Sequence, residues 1–190
     1  MTDPEAGPVL FSFGHGARSF EAFLDLLRGA GIRRLVDVRT APGSRKHPHF
    51  GRDALAASLA EAGIEYRWEP SLGGWRKPKP DSRHFALRSG GFRGYADHME
   101  TDEFAHAVDL VVAEGSEERT AFMCSESLWW RCHRRLLSDA LTVRGCRVLH
   151  LMEGGRQERH TLSPMARVEG GRLVYDVNRG SRGAAAPRTE

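Results

Sequence analysis

Short apolar runs alternate along this chain with stretches whose apolar residues recur at helical spacing. Residues 9–13 form an apolar run typical of a buried strand, and the following Gly14 and Gly16 permit a tight turn. Ser19 is a candidate N-cap for a helix. The apolar face of that helix comprises Phe20, Phe23, Leu24 and Leu27. Residues 35–39 are apolar again, so the first forty residues predict a strand–helix–strand unit with parallel pairing.

The same alternation continues to the end of the chain. The further predicted elements are a helix at 53–62, a strand at 64–68, an irregular segment at 70–94, a helix or helix pair at about 95–114, a strand at 121–123, a helix that begins at about 131–134, a strand at 146–152 and a hairpin at 166–175. This order predicts a single α/β domain at 9–176, with a mainly parallel sheet of about five strands, flanking helices and a small C-terminal hairpin. We expect flexible termini at 1–8 and 177–190.

Polar residues follow several of the predicted strands. In open α/β sheets, ligands bind beyond the carboxyl ends of the strands. His15, the pair Asp37 and Arg39, the loop at 72–76 and the segment at 124–134 all take such positions. We therefore expect one edge of the sheet to gather these side chains into a pocket.

The segment that begins at Cys124 carries the densest group of reactive side chains. Cys124 ends a strand, Glu126 follows in a polar loop, and Arg131, His133 and Arg134 fall where the next helix begins. A helix N-terminus favours anions and thiolates because its N–H groups are unpaired. We predict catalytic roles for Cys124, whose thiolate the helix N-terminus would stabilise, and for Glu126 and His133. We also expect Arg131 and Arg134, which are three residues apart and would share one helix face, to bind an anion jointly. An alternative is that Cys124 is a small buried apolar residue and the arginines are solvated surface.

Two further regions supply candidate ligand contacts. Trp129 and Trp130 lie in the loop after Cys124 and suit a flat ligand. The basic loop at 40–50 carries cations at positions 45–47 and 49, and forms a positively charged lip on the ligand side. Asp37, a candidate catalytic residue, and Arg39, a candidate ligand contact, precede this loop. A salt bridge between them that only pins the loop is an equally weighted alternative.

Composition narrows the class of protein. The chain has 40% hydrophobic and 28% charged residues, as a globular protein does, and it has no apolar run long enough to span a membrane. Residues 1–8 lack a signal-peptide pattern, and three cysteines do not suggest a secreted disulfide scaffold. We therefore expect a cytoplasmic protein. The net charge of +3 is too small to require a nucleic-acid partner.

Six motifs in this order resemble those of the uncharacterised bacterial and archaeal domain-of-unknown-function family DUF488. The motifs are Phe13-Gly-His-Gly-Ala-Arg-Ser, Leu35-Val-Asp-Val-Arg with Pro-Gly-Ser-Arg45, Leu72-Gly-Gly, Phe92-Arg-Gly-Tyr-Ala, Met123-Cys-Ser-Glu with Arg131-Cys-His-Arg, and His160-Thr-Leu-Ser-Pro. The resemblance covers about residues 10–170, and Gly16 replaces an expected serine. It implies a fold and a shared pocket, to which the motif residues His15, Ser44, Arg93 and Tyr95 are assigned as ligand contacts. It implies no settled reaction.

A more distant likeness in layout is to rhodanese-like sulfurtransferases. Those proteins also have an Asp-x-Arg strand, a cysteine at a strand end, an arginine entering a helix and a later Gly-Gly turn. Here the loop between Cys124 and Arg131 is one residue longer than that family's anion cradle, and it contains no glycine. A backbone cradle often requires residues with positive φ, so this loop disfavours the sulfurtransferase activity.

Three functions remain open from the sequence. The first is an enzyme, a transferase or hydrolase that uses Cys124 on a small planar anionic ligand such as a nucleotide or modified base, with Cys132 as a resolving thiol in one variant. The second is metal or haem binding through Cys124, Cys132 and His133, with His15 or His160. The third is a nucleic-acid-binding, repair or modification module that uses Trp75-Arg-Lys77, Arg93 and the basic lip at 45–49. The cofactor and the oligomeric state are undetermined.

Overall fold

The computed structural model describes residues 7–43 and 45–177, and within them it contains a six-stranded sheet, a two-stranded hairpin and five α-helices. The strands are β1 (Val9–Gly14), β2 (Arg34–Asp37), β3 (Glu65–Trp68), β4 (Thr120–Cys124), β5 (Arg147–Leu151), β6 (Gln157–Arg159), β7 (Ala166–Glu169) and β8 (Arg172–Tyr175). The helices are α1 (Phe20–Gly29), α2 (Arg52–Glu61), α3 (Gly90–His98), α4 (Asp102–Glu117) and α5 (Arg134–Val143).

The large sheet has the order β3-β2-β4-β1-β5-β6. All of its pairs are parallel except β5 with β6, which is antiparallel. The predicted α/β domain with a mainly parallel sheet and a small C-terminal hairpin (β7–β8) is therefore confirmed. Strand β6 was not predicted because all three of its residues are polar and exposed, so no apolar alternation marks this edge strand.

Alternating residues of the strands supply two separate cores. In β4, Phe122 and Cys124 belong to the core covered by α3, α4 and α5, whereas Ala121 and Met123 belong to the core covered by α1 and α2. This alternation follows from the two-residue period of a strand. The central strands are buried on both faces, which explains why they read as continuous apolar runs in the sequence.

The helical region before β4 consists of α3 and α4, in agreement with a predicted helix pair. Helix α3 begins at Gly90, five residues earlier than predicted. The sequence predicted a loop there because glycine has a low helix propensity. Gly94 is required by close packing, since an added Cβ would lie 2.5 Å from the backbone of Arg76 and Lys77. Thr101 caps α4 by accepting a hydrogen bond from the backbone N–H of Phe104.

Helix α5 begins at Arg134, and the prediction that it includes Arg131 is wrong. Trp129–Arg131 form a short 3-10 turn, and Cys132 then has an extended backbone with φ −119° and ψ 155°. The extended residue separates the turn from the helix. Arg131 and Arg134 therefore do not share one helix face, and the side chain of Arg131 is exposed.

Some predictions lie outside the described residues. Ser44 is one of them, and so are 1–6 and 178–190, which make up most of the predicted flexible termini. None of the helices in the described part of the chain is long and apolar enough to cross a membrane.

Candidate functional site

Three neighbouring strands end side by side at the same edge of the sheet. In the parallel pairing, Gly14 at the end of β1 lies opposite Cys124 at the end of β4, and Asp37 at the end of β2 lies opposite Met123. The backbone N–H of His15 donates to the carbonyl of Cys124 at 3.0 Å. The register thus places residues that are far apart in sequence beside one another.

A cavity of about 310 Å³ opens at this edge. The residues that line it are His15, Gly16, Arg39, Thr40, Ala41, Gly43, His47, Gly74, Trp75, Cys124, Ser125 and His133. The lining combines a guanidinium, imidazoles and a thiol, so the cavity offers both hydrogen-bond donors and reactive groups.

Arg39 is oriented by the buried carboxyl group of Asp37. Its Nε and Nη2 donate to the two carboxylate oxygens, and its backbone N–H donates to Oδ1 at 3.1 Å. The hydroxyl of Tyr66 donates to Oδ2 at 2.7 Å. Burial opposes the charged guanidinium, but the bonds to Asp37 outweigh burial and raise the pKa of Arg39. Asp37 does not line the cavity, so its position suits orientation of Arg39 rather than contact with a ligand.

His15 is a neutral side chain in this arrangement. Its Nδ1–H donates to the carbonyl of Gly16 at 2.8 Å, which leaves Nε2 with its lone pair 3.4 Å from Nη1 of Arg39. Its ring stacks on Phe50 with centroids 4.1 Å apart. Burial lowers the pKa of His15 to about 4, so the imidazole accepts from the guanidinium and does not repel it at neutral pH.

Cys124, Cys132 and His133 form a compact cluster at the cavity, which we call the thiol–imidazole cluster. Their ligand atoms all lie within 4.8 Å of one another, and Cys132 Sγ is 3.5 Å from His133 Nδ1. His133 Nε2 lies 3.1 Å from the carbonyl oxygen of Val38. Because a carbonyl only accepts, Nε2 carries the proton and Nδ1 presents a lone pair to the sulfur atoms.

The two sulfur atoms of the cluster differ in acidity. The hydrogen bond with Cys132 and then burial raise the pKa of Cys124. The hydrogen bond with Cys124 lowers the pKa of Cys132 against burial, helped by the charge and backbone N–H of Arg134. The thiolate is therefore favoured at Cys132, whereas the sequence predicted it at Cys124. Cys124 nevertheless lines the cavity and Cys132 does not.

Arg134 holds the loop after β4 in place. It is almost fully buried; Nη1 donates to Ser12 Oγ at 3.1 Å and Nη2 donates to the carbonyls of Glu126 and Ser127. Arg134 is therefore bonded within the protein and does not lie beside exposed Arg131 on one helix face, so this geometry does not favour the predicted joint binding of an anion, which stays a prediction. Exposed Glu126 uses its carboxylate to accept from the backbone N–H of Leu128, so it stabilises its own loop.

The tryptophans after Cys124 do not line the cavity. Trp129 stacks on the buried ring of His150, with centroids 4.0 Å apart and an interplanar angle of 3°, and Trp130 packs edge-on against Trp129. Trp75 lines the cavity instead and is 81% exposed. The sequence placed the loop at 72–76 at this edge but assigned Trp75 only to the nucleic-acid alternative; the Gly73-Gly74 dipeptide after β3 was the available signal.

Arg93 and Tyr95, both assigned through the motif resemblance, lie in α3 outside the cavity lining. The hydroxyl of fully buried Tyr95 donates to the carbonyl of Leu72 at 3.0 Å. Its ring lies 5.1 Å from that of His133, so Tyr95 supports the cluster from behind. Arg93 Nε is buried without a hydrogen-bond partner.

His15 and His160 do not join the cysteines as possible metal ligands. Among the described residues the only group of this kind is the thiol–imidazole cluster itself. His160 bonds instead to His150 at 3.0 Å and to Asp139 at 2.9 Å, in a buried network under α5.

Comparison with known proteins identifies a family. The family model described as "Domain of unknown function DUF488" matches residues 19–141, well over half of the chain. No curated protein and no solved structure matches the sequence significantly.

Proposed function

Because this chain belongs to the DUF488 family, whose description assigns no activity, we propose its function from the site: an enzyme that acts on a small planar anionic ligand. The observation that carries this proposal is the cavity in which Arg39, His15 and the thiol–imidazole cluster meet. A charged donor and a reactive group that share one concave site are typical of an active site.

Arg39 supports the anionic character of the ligand. Two of its three guanidinium nitrogens donate to Asp37, and Nη1 is directed to the side where neutral His15 lies. An anion that enters the cavity meets a donor group held in a fixed orientation, which lowers the entropy cost of binding. Phosphate and carboxylate groups match a guanidinium best.

Trp75 supports the planar character of the ligand. Its indole lies at the cavity and is largely exposed in the free protein. The neighbouring Gly74 adds no side chain between the indole and His133. A base or other flat ring stacked on Trp75 would cover apolar surface while its anionic group reached Arg39.

The thiol–imidazole cluster supplies the chemistry. Two sulfur atoms beside the Nδ1 lone pair of His133 favour a thiolate, and the thiolate is the form in which cysteine reacts or binds a metal. Cys124 and His133 reach the cavity, so the cluster acts on whatever Arg39 and Trp75 hold. A transferase or hydrolase fits these groups.

Ligand-dependent thermal stabilisation tests the proposal with adenosine monophosphate, ribose 5-phosphate and inorganic phosphate as probes. At equal concentrations of the three probes, the planar nucleotide should stabilise the protein most. The stabilisation is about 2.7 kcal/mol when the nucleotide concentration is a hundred times its dissociation constant. Arg39→Lys should lose stabilisation by all three probes, whereas Trp75→Ala should lose only the advantage of the nucleotide.

Arg28→Lys is the matched control, because Arg28 is exposed at the end of α1 and does not line the cavity. Equal stabilisation in Arg39→Lys and Arg28→Lys would exclude the anion site. A single-stranded oligonucleotide that binds far more tightly than the mononucleotide, with steep salt dependence, would favour the nucleic-acid module instead.

A further inference from the structure

We propose that Cys124, Cys132 and His133 bind a zinc ion whose fourth coordination position faces the cavity. This inference rests on the proposed function, since it assigns the chemical role of the cluster on which that function depends.

The distances within the cluster suit tetrahedral zinc. Metal–sulfur bonds of about 2.3 Å and metal–nitrogen bonds of about 2.0 Å place tetrahedral ligand atoms roughly 3.5 to 4 Å apart. Cys132 Sγ and His133 Nδ1 are 3.5 Å apart, and all three ligand atoms lie within 4.8 Å of one another. Only small side-chain adjustments are needed to close the three ligands around one ion.

His133 is oriented as metal-ligating histidines are. Its Nε2–H donates to the backbone carbonyl of Val38, which fixes the tautomer and aims the Nδ1 lone pair at the sulfur atoms. A second hydrogen bond of this kind accompanies most histidine ligands and strengthens them. The ring of buried Tyr95 packs beside the imidazole and limits its rotation.

The donor set selects the kind of ion. Two thiolates and one imidazole are soft and borderline ligands that favour zinc over magnesium or calcium, and no carboxylate joins the group among the described residues. The ion binds both cysteines as thiolates, so their two negative charges balance the charge of Zn²⁺, and each thiol that still carries a proton releases it. The site therefore needs no further acidic residue.

The position of the cluster leaves one coordination place open. Cys124 and His133 both line the cavity, so an ion held between them borders the space that the ligand would occupy. Zinc with three protein ligands and an open position is typical of catalytic rather than structural sites. The open position beside Arg39 would let the ion bind an oxygen atom of an anionic substrate.

Gly74 gives the cluster the room it needs. A Cβ at this position would lie 2.4 Å from His133 Nδ1, the atom that would face the metal. Gly74→Ala therefore displaces the ligand nitrogen without removing any ligand. Gly29→Ala is the matched control, because a Cβ there meets no atom within 4 Å.

Metal analysis of the full chain tests the inference. Protein purified without chelator under reducing conditions should contain about one zinc ion per molecule. Cobalt(II) in place of zinc should give thiolate-to-metal charge-transfer bands and the intense visible bands of a tetrahedral site. Cys124→Ser, Cys132→Ser and His133→Gln should each lose these signals. Gly74→Ala should weaken zinc affinity by about 10- to 100-fold, and Cys146→Ser, outside the cluster, should bind as the wild type does.

The outcomes separate this inference from the proposed function. A reduced, folded protein that takes up neither zinc nor cobalt overturns the metal site, and a Cys124–Cys132 disulfide recovered in its place does the same. If nucleotide stabilisation persists in that metal-free protein, the proposed anionic ligand stands without the metal. If zinc binds stoichiometrically and no anion stabilises the protein, the metal site stands and the proposed substrate class fails.

Discussion

Two buried aspartates, Asp37 and Asp139, accept the same kinds of hydrogen bond but have different roles. Both are fully buried, and each carboxyl group accepts from a tyrosine hydroxyl, a backbone N–H and a basic side chain. For Asp37 these partners are Tyr66 and both the backbone and the guanidinium of Arg39. Its basic partner lines the cavity, so the carboxyl group fixes the donor that a ligand would meet.

The partners of Asp139 lie deeper in the protein. Its carboxylate accepts from the backbone of Ser163 and from Tyr175 and bonds His160, each at 2.9 Å. His160 in turn bonds His150 on β5, under the ring of Trp129. This network joins α5 to β5 and to the segments at each end of the C-terminal hairpin, and none of its members lines the cavity. The same bonding pattern therefore anchors a segment in one place and positions a functional group in the other.

Removing the carboxyl group of Asp139 should have the largest effect on stability. Asp139→Ala leaves His160, Tyr175 and the backbone N–H of Ser163 without their acceptor inside the core, and we expect a loss of about 3 to 5 kcal/mol in the free energy of unfolding. Urea denaturation measures it. Asp109→Ala, which removes an exposed pair with Arg144, should cost less than about 1 kcal/mol. Equal losses in the two variants would contradict the anchoring role.

Asp37→Asn and Asp139→Asn should both lower stability, but only Asp37→Asn should weaken ligand binding. Asp37→Asn keeps the shape of the side chain but presents an uncharged amide to Arg39, so we expect about 1.5 to 3 kcal/mol of lost stability. Adenosine monophosphate should also stabilise this variant less than it stabilises the wild type. Asp139→Asn should lower stability and leave the nucleotide effect intact. A nucleotide effect that survives in Asp37→Asn would remove the distinction between the two aspartates.

Lowering the pH should reduce the stability of the protein because His15 and His150 are buried in the neutral form. Burial lowers the pKa of His15 to about 4 and that of His150 to about 2. Below about pH 6.5 the unfolded chain binds protons that the folded histidines do not, so stability falls with falling pH by about 1.4 kcal/mol per unit for each histidine.

Urea denaturation at several pH values from 7 to 4 measures this slope. His15→Gln and His150→Gln should each flatten it, and exposed His106→Gln should leave it unchanged. Burial also lowers the pKa values of His84 and His98, so the difference between variants decides the test. A slope identical to that of the wild type in His150→Gln would mean that this imidazole is not buried in the neutral form.

The tyrosines give the smallest and most closely matched comparison. Tyr66→Phe and Tyr175→Phe each delete one hydroxyl that donates to a buried carboxyl group, at an expected cost of about 1 kcal/mol. Only Tyr66→Phe should weaken stabilisation by the nucleotide, because only Asp37 orients Arg39. Thermal denaturation with and without nucleotide compares the two, and a nucleotide effect lowered equally in both would contradict the assignment.

The sheet and the edge that gathers the site were predictable because both depend on local patterns. Apolar runs identified four of the five parallel strands, and alternation of apolar and polar residues at 64–68 identified β3. The rule for strand ends placed His15, Arg39 and Cys124 at one edge. Polar β6 and the glycine-rich start of α3 were not predicted because packing, rather than local preference, decides their structure.

The roles of individual side chains were less accessible from the sequence. Arg134 reads as an anion contact at a helix start, yet its partner Ser12 is 122 residues away. The extended backbone of Cys132, which shifts the start of α5, carries no sequence signal. Such roles depend on contacts between distant segments, and a single sequence does not contain them.

The strand order also has a consequence for how the protein reaches this structure. Strand β1 is made first, but both of its neighbours, β4 and β5, lie more than a hundred residues further along the chain. Closing loops of that length precedes most of the stabilising contacts, so folding should be slow for a domain of this size. Until β4 is available, β1 exposes two edges of unpaired backbone groups and its apolar side chains, and the nascent chain is then most prone to aggregation.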